Sequence, residues 1–305
     1  MRRRPLPVLV LAVLAAGCGG PPFAAAVRVT PLHDVDDVVA DPRGAVCIAS
    51  GQALVHHDGQ VVAVDADGKV ATLARDLDDP RQLVLTATDV YFLTEDGAHR
   101  VARGGGPVVQ LATLDRPTAL AVDGAALVVG VGGAIVEVAA DGATRTLVAD
   151  AGDVRDLALD RDHLAWVDRG GGRVLRARRD GGEVVALASD QAAPVALVVT
   201  GAAVVWITQG DTARDVEATV ATVPLAGGAV RVLHRRGYEY EGVAVDGPWV
   251  YWSWGDVFSS VHRVRLAGGG FQTVVTDQTD LDGVALDPGG LWVGAGDGLY
   301  RARRK

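Results

Sequence analysis

Seven positions occur at the same point of an internal repeat, and three of them carry carboxylates that could hold a cation. Counting back five residues from the end of each repeat's first strand gives Asp36, Arg81, Thr118, Arg155, Val195, Glu241 and Asp282. If the chain closes into a ring, Asp36, Glu241 and Asp282 come from adjacent repeats. Hard cations such as Ca²⁺ take oxygen ligands, so one hypothesis is a metal site of these three carboxylates. The alternative is that they form ion pairs with Arg81 and Arg155.

Four further residues near the first repeat, His33, Asp34, His56 and His57, could bind a metal or transfer protons. Their spacing matches no metal-ligand pattern, so a pair of solvated loops is the simpler explanation. We therefore expect no cofactor, with a divalent cation such as Ca²⁺ as the one exception.

The motifs of several enzyme classes are missing from the sequence. It contains no G-x-S-x-G, H-E-x-x-H or C-x-x-C motif, no P-loop and no G-x-G-x-x-G fingerprint. This favours a non-catalytic protein. The alternative is a metal-dependent enzyme, such as a lyase or lactonase, that uses Asp36, Glu241 and Asp282 as ligands and His33 or His57 as acid or base.

A second candidate site combines aromatic side chains with carboxylates. The longest connections between predicted strands span residues 51–59, 209–217, 234–241 and 255–260, all expected on one face. Binding residues are often found on such loops. The candidate recognition residues are Tyr238, Glu239, Tyr240, Glu241, Trp254, Asp256 and Phe258, with Arg214 and Asp215 nearby. The alternative is that these side chains pack over the loops and close the end of a channel.

The elements that position these residues are short β-strands in a repeat. First strands end at Asp41, Thr86, Asp123, Asp160, Thr200, Asp246 and Asp287, and spacings of 37 to 46 residues are close to those of a propeller blade. Six copies contain four strand patterns and the seventh contains three, and Gly-rich or Asp-Gly turns join the third and fourth strands. The sequence therefore predicts an all-β, seven-bladed β-propeller of four-stranded antiparallel blades.

The seventh copy lacks its fourth strand at the C-terminus, and the missing strand is found at the other end of the chain. The segment from Val27 to Thr30 aligns with the fourth strand of the preceding copy. We predict that it completes the last blade and closes the ring, which removes exposed sheet edges.

Two segments match a known class of propellers most closely: LAWVDRGGGRVLRARRDGG, from Leu164 to Gly182, and VYWSW, from Val250 to Trp254. With them, residues 27–303 resemble bacterial propellers of the NHL, TolB-like and YWTD types. The resemblance implies a fold and no particular activity.

The N-terminus has the pattern of an export signal. Arg2, Arg3 and Arg4 precede an apolar run that is too short to span a bilayer, and the segment from Leu14 to Cys18 resembles a bacterial lipobox. The resemblance implies a signal peptide at residues 1–17, a lipidated Cys18 with a spacer to residue 26, and a propeller at residues 27–305. The protein would be anchored in the cell envelope, facing the periplasm or the exterior. Cleavage after Ala26, giving a soluble periplasmic or secreted protein, is the alternative.

Composition limits the partners. The 305 residues carry a formal net charge of −9, which argues against nucleic acid and anionic membrane surfaces as partners. Membrane contact is therefore expected only through the lipid anchor, which would place the protein at a membrane such as the outer membrane. We expect a monomer that binds a protein or a small ligand.

Overall fold

The computed structural model describes residues 23–30, 32, 35, 37–41, 44–49, 59–65, 67–255, 259–278 and 280–305. Within these residues, seven antiparallel sheets contain four strands each. The prediction of a seven-bladed β-propeller is confirmed. Short alternating runs form the strands, and glycine or aspartate residues provide the turns between them.

The chain begins with β1 (Val27–Thr30) and then completes three blades in order. Their strands are β2 (Asp37–Asp41), β3 (Gly44–Ala49), β4 (Gly59–Asp65), β5 (Val70–Leu77), β6 (Arg81–Leu85), β7 (Asp89–Thr94), β8 (Gly97–Ala102), β9 (Val109–Thr113), β10 (Ala119–Asp123), β11 (Ala126–Val131), β12 (Ala134–Val138) and β13 (Thr144–Val148). The first strand of each blade lies innermost, and the fourth lies at the outer edge.

Blades 4 to 7 repeat the same order. Their strands are β14 (Val154–Leu159), β15 (His163–Asp168), β16 (Arg173–Arg178), β17 (Val185–Ala188), β18 (Pro194–Thr200), β19 (Ala203–Thr208), β20 (Thr219–Pro224), β21 (Arg231–Arg235), β22 (Tyr240–Asp246), β23 (Trp249–Trp254), β24 (Ser259–Arg265), β25 (Gln272–Gln278), β26 (Leu281–Asp287), β27 (Gly290–Ala295) and β28 (Gly298–Arg303).

The N-terminal strand closes the ring as predicted. β1 pairs antiparallel with β28, with Val27 opposite Arg301, and so becomes the fourth strand of blade 7. This arrangement joins the two ends of the propeller by backbone hydrogen bonds inside one sheet.

The core lies between the blades. Within the described residues, seven apolar clusters each draw side chains from two neighbouring blades. Five large aromatic side chains of the second strands are fully buried there; they are Phe92, Trp166, Trp206, Trp252 and Trp292. Each of these rings buries a large apolar surface in the layer between two blades.

The two faces of the ring differ in their connections. The long-loop face carries the loops from second to third strands and from one blade to the next, whereas the tight-turn face carries the remaining turns. At the tight-turn face, aspartates that end three inner strands pair with arginines of the next blade. These pairs are Asp41–Arg103, Asp123–Arg179 and Asp246–Arg304.

The chain joins the propeller at the tight-turn face. Phe23 is 2% exposed, forms an isolated bridge with Arg304 and contacts the ring of Tyr251 at a centroid distance of 6.0 Å. The Ala24 amide donates to the Arg303 carbonyl at 2.8 Å. Part of the segment expected to be a spacer is therefore packed against the last blade. Within the described residues, no helix is both long and apolar enough to cross a membrane.

Replacing Phe23 by alanine should weaken this closure. Loss of a buried phenylalanine costs about 3 kcal/mol of the free energy of unfolding, measured by chemical denaturation. The matched control is Val27→Ala on the same segment, because Val27 is 65% exposed; it should change stability by less than about 0.5 kcal/mol. Equal effects of the two substitutions would contradict the packing of Phe23.

Candidate functional site at the channel mouth

The first residues of the inner strands surround one cavity of about 890 Å³ in the centre of the ring. Six of the seven positions counted from the repeat line it: Arg81, Thr118, Arg155, Val195, Glu241 and Asp282. The seventh, Asp36, lies outside the described residues. The sequence count therefore found positions that share a cavity, and whether they bind a ligand stays a prediction.

Irregular pairing between the first and second strands, at the start of the inner strands, directs these side chains towards the cavity. The register between first and second strands shifts between Val154 and Asp156 in blade 4 and between Tyr240 and Val243 in blade 6. Similar shifts occur in blades 2, 5 and 7. A β-bulge turns a residue out of the regular alternation, and bulges are frequent beside functional sites. They place charged residues at the long-loop end of the channel.

Asp37 and Asp156 bind the inner edge of the next blade. The Leu83 amide donates to Asp37 Oδ2 at 2.6 Å, and the Leu197 amide donates to Asp156 Oδ2 at 2.8 Å. Innermost strands have no strand on their channel side, so their edge amides need other acceptors. These two carboxylates were not among the sequence candidates. The signal that would have found them is an aspartate directly after the counted position in blades 1 and 4.

Burial has a large effect on Asp156. Desolvation, with a smaller contribution from the negative charge of Asp37, raises the pKa of its carboxyl group to about 7. Hydrogen bonds from the Leu197 and Leu157 amides and the positive charge of Arg155 act in the opposite direction. Asp156 therefore exchanges a proton near neutral pH, which an ordinary aspartate does not.

Glu241 ends a chain of polar contacts at the same mouth. Gln209 Nε2 donates to Glu241 Oε1 at 2.7 Å, and the Arg169 guanidinium donates to Gln209 Oε1 at 2.9 Å. Burial raises the pKa of Glu241, while the Gln209 hydrogen bond and the charge of Arg155 lower it. The hydrogen bond from the Gln209 side chain thus holds the Glu241 carboxylate in position.

The two arginines at the mouth differ in their partners. The Arg81 guanidinium lies 2.5 Å from Asp79 Oδ2, so the opposite charges of these two side chains largely cancel. Arg155 is exposed, and its positive charge acts on both Asp156 and Glu241. Asp79 is the partner of Arg81 among the described residues. The alternative expectation, that the counted carboxylates form ion pairs with Arg81 and Arg155, stays a prediction because Asp36 lies outside those residues.

Among the described residues, the aromatic patch expected on the long-loop face exposes less than the sequence suggested. Tyr240 is fully buried and its hydroxyl donates to the Arg236 carbonyl at 2.6 Å, so its expected exposure on a recognition surface is wrong. The reason is that Tyr240 begins β22 and packs against Trp252 and Trp254.

Other members of the patch remain at the surface. Trp254 is half-buried, Tyr238 donates its hydroxyl to Asp215 Oδ1 at 2.8 Å, and Glu239 is exposed. Asp256 and Phe258 lie outside the described residues. Arg214 pairs with Asp211 at 3.4 Å on the neighbouring loop. A Cβ on Gly237 would lie 2.5 Å from the Trp254 ring, so only glycine allows this loop to pass over the tryptophan.

The hypothesis of a metal site stays untested. Among the described residues, no group of three His, Cys, Asp or Glu side chains could hold a metal ion. Glu241 and Asp282 line the cavity, but their predicted third ligand, Asp36, lies outside these residues, as do His33 and His57.

A buried polar trio in blade 6 was also missed by the sequence reasoning. Ser260 Oγ lies 2.8 Å from His262 Nε2, and Thr273 Oγ1 lies 3.1 Å from His262 Nδ1. Burial lowers the pKa of His262 to about 4, so its ring is neutral at physiological pH. Both ring nitrogens are bound by hydroxyl groups within the core, which is a structural role.

Comparisons with known proteins identify the architecture. The chain superimposes on streptogramin B lyase with a TM-score of 0.73 and 13% identity, covering 93% of this chain and 98% of that one. The WD40 propeller domain of Doa1 gives 0.73 and 14%, covering 93% and 96%. The computationally designed Ika8 protein gives 0.62 and 15%, covering 91% and 99%. No protein-family model and no curated protein sequence matches the chain.

These similarities establish a β-propeller and nothing narrower, because identities this low show the fold alone. The closer resemblance to NHL, TolB-like or YWTD propellers stays a prediction.

The titration of Asp156 gives a pH dependence that can be measured. Its pKa in the folded state is about 7 against an ordinary value of 3.8, so the stability provided by the protonated form is lost as pH rises through this window. Between pH 4 and 7 the wild type should lose stability that the Asp156→Asn variant does not lose. The free energy of unfolding of the variant minus that of the wild type should therefore increase with pH, by at most about 1.4 kcal/mol per pH unit. Denaturant titrations at several pH values measure this difference, and a constant difference would contradict the raised pKa.

Proposed function

We propose that this protein is an envelope-anchored lipoprotein whose non-catalytic propeller binds a small ligand at the long-loop mouth of the central channel. The observation that carries this proposal is the convergence of charged side chains from several blades on one cavity of about 890 Å³. Small-molecule sites are cavities of about 300 to 1,000 Å³ with a few fixed polar groups. Asp156 and Glu241, held by the hydrogen bonds described above, are such groups.

The cavity favours a small ligand over a protein partner. Tyr240 lies in the core and Trp254 is half-buried, so the described part of the long-loop face offers less exposed aromatic surface than the sequence indicated. Protein interfaces depend on central aromatic and arginine residues that insert into the partner. The polar groups at the channel mouth instead point to a ligand that fits between the blades.

The anchor would hold the tight-turn face towards the membrane. The chain joins the propeller at Phe23, next to Arg304 on that face. From Cys18 to Phe23 an extended chain reaches at most roughly 18 Å. A lipid on Cys18 would therefore keep the tight-turn face close to the bilayer, with the channel mouth directed away from it. A ligand would then reach the mouth from the aqueous side.

Blocking the mouth should abolish ligand retention. The purified protein is incubated with the small-molecule fraction of a cell extract and examined by native mass spectrometry. The wild type should retain an adduct that Thr118→Trp loses, because Thr118 lines the cavity. The matched control is Thr88→Trp on an exposed tight turn, which should retain it.

Three results would contradict the proposal: no adduct, an adduct retained by Thr118→Trp, or conversion of the bound molecule to a product. Conversion that requires an added divalent metal would support the alternative, a lyase or lactonase. Elemental analysis of the same preparation tests for that metal.

The orientation can be tested with a pair of labels in blade 5. A dye attached at Ala202→Cys, in the tight turn between β18 and β19, should transfer energy to a membrane dye more efficiently than one at Ala213→Cys, in the loop between β19 and β20. Both positions are exposed, and Cys47→Ser provides the background. Cys18→Ser should abolish both signals, and equal transfer from the two labels would contradict the orientation.

A further inference from the structure

The central cavity changes character along its length. Its charged side chains lie at the long-loop end of the inner strands; they are Asp37, Asp79, Arg81, Arg155, Asp156, Glu241 and Asp282. The residues that line it towards the tight-turn end are apolar, namely Ala40, Leu85, Val198, Val245 and Leu286. A molecule that fills this space would therefore meet charged groups at one end and hydrocarbon at the other.

Negative charge predominates at the charged end. The described lining residues include five carboxylates and two guanidinium groups. One of each forms the Asp79–Arg81 pair. The other charged residues among the described lining are Asp37, Asp156, Glu241, Asp282 and Arg155, so carboxylates outnumber guanidinium groups there. A cation at this end would improve the charge balance, whereas an anion would worsen it.

Two of these carboxylates are already fixed in place. Asp37 and Asp156 each accept an inner-edge amide of the following blade, Leu83 and Leu197 respectively. Each carboxylate oxygen has two lone pairs and can accept a further hydrogen bond after the first. The acceptors are thus positioned before a ligand arrives, which reduces the entropy lost on binding.

We propose that the cavity binds a small organic amine with an apolar body. Its ammonium group lies at the charged end and binds the Asp156 carboxylate, and its apolar body extends towards Val198 and Leu286. This inference rests on the proposed function, that the cavity is a ligand site, and adds the chemical class of the ligand. A primary ammonium only donates hydrogen bonds and an ionised carboxylate only accepts them, so the two groups are complementary.

Ionisation of Asp156 couples this binding to pH. The charges that act on Asp156 are those of Asp37, across the cavity, and of Arg155. The neighbouring inner strands contribute Thr118 and Val195 to the cavity wall, and neither residue titrates. Because an ammonium favours the ionised carboxylate, amine binding below pH 7 releases a proton. Affinity then rises with pH by up to about tenfold per unit until Asp156 is ionised.

The test uses 2-phenylethylamine, 2-phenylethanol and phenylacetate, which share an aromatic ring and differ in charge, with isothermal titration calorimetry on the purified protein. The amine should bind at pH 8 with an affinity at least about tenfold higher than that of the alcohol, since a hydrogen bond to a charged group contributes about 1.5 to 3 kcal/mol. Phenylacetate should not bind. Lowering the pH from 7 to 5.5 should weaken binding of the amine.

Variants test each end of the cavity separately. At pH 8, Asp156→Asn should weaken amine binding about tenfold or more, whereas Asp162→Asn, at an exposed position in the same blade, should not change it. Arg155→Gln should strengthen binding because it removes the competing positive charge. Val198→Phe should weaken binding by filling the apolar end. The affinity of this variant for the amine should still depend on pH as that of the wild type does.

The possible results separate this inference from the proposed function. Equal binding of amine and alcohol, or binding independent of pH, would overturn the amine inference. So would binding of Ca²⁺ in place of the amine. If an adduct from the cell extract is lost in Thr118→Trp but carries no amine, the proposed function stands and this inference fails. If neither the extract nor the amine gives binding at the channel, both fail.

Discussion

The packing of each blade against its two neighbours is the constraint on which this structure depends. A four-stranded sheet has two faces, and here both are apolar, so a single blade would expose them to water. The seven apolar clusters of the described residues each lie between adjacent blades, and none lies within one blade alone. The stability of each blade therefore depends on its neighbours in the ring, and the pairing of β1 with β28 completes blade 7.

This packing also determines where polar chemistry can occur. The faces of the sheets pack into the core, and the outer strands face solvent. The enclosed space in the centre is therefore lined by the inner edges of the sheets. Bulges interrupt the regular alternation at the start of five inner strands. There, side chains leave the packed layers, and Asp37 and Asp156 satisfy edge amides that no strand can reach. The charged end of the channel is a result of how the ring is built.

The sequence was sufficient for the fold because the repeat and its turns follow local rules. Even the position of β1 could be inferred, since one copy lacked a strand. The site was only partly accessible. Counting along the repeat found Arg155 and Glu241, but regular alternation could not show that a bulge would bring Asp156 into the same space.

Tyr240 was misjudged for a related reason. Its neighbours in the sequence are polar and belong to a loop, whereas its ring packs into a layer formed with Trp252 and Trp254 of the next strand. Contacts of this kind depend on three-dimensional placement. The pKa of Asp156 could not be predicted either, because it reflects burial and the charge of Asp37, which is 119 positions earlier in the chain by numbering.

The strand exchange that closes blade 7 has a consequence for how the chain could be reconnected. Phe23 and Arg304 are bridged, and the Ala24 amide bonds to the Arg303 carbonyl, so the two ends of the propeller lie side by side. A short peptide could join them, and new ends could be opened in the exposed loop near Ala213. Such a circular permutant would keep every inter-blade layer while moving its termini from the tight-turn face to the long-loop face. The position of the chain ends is thus independent of the arrangement of the blades around the ring.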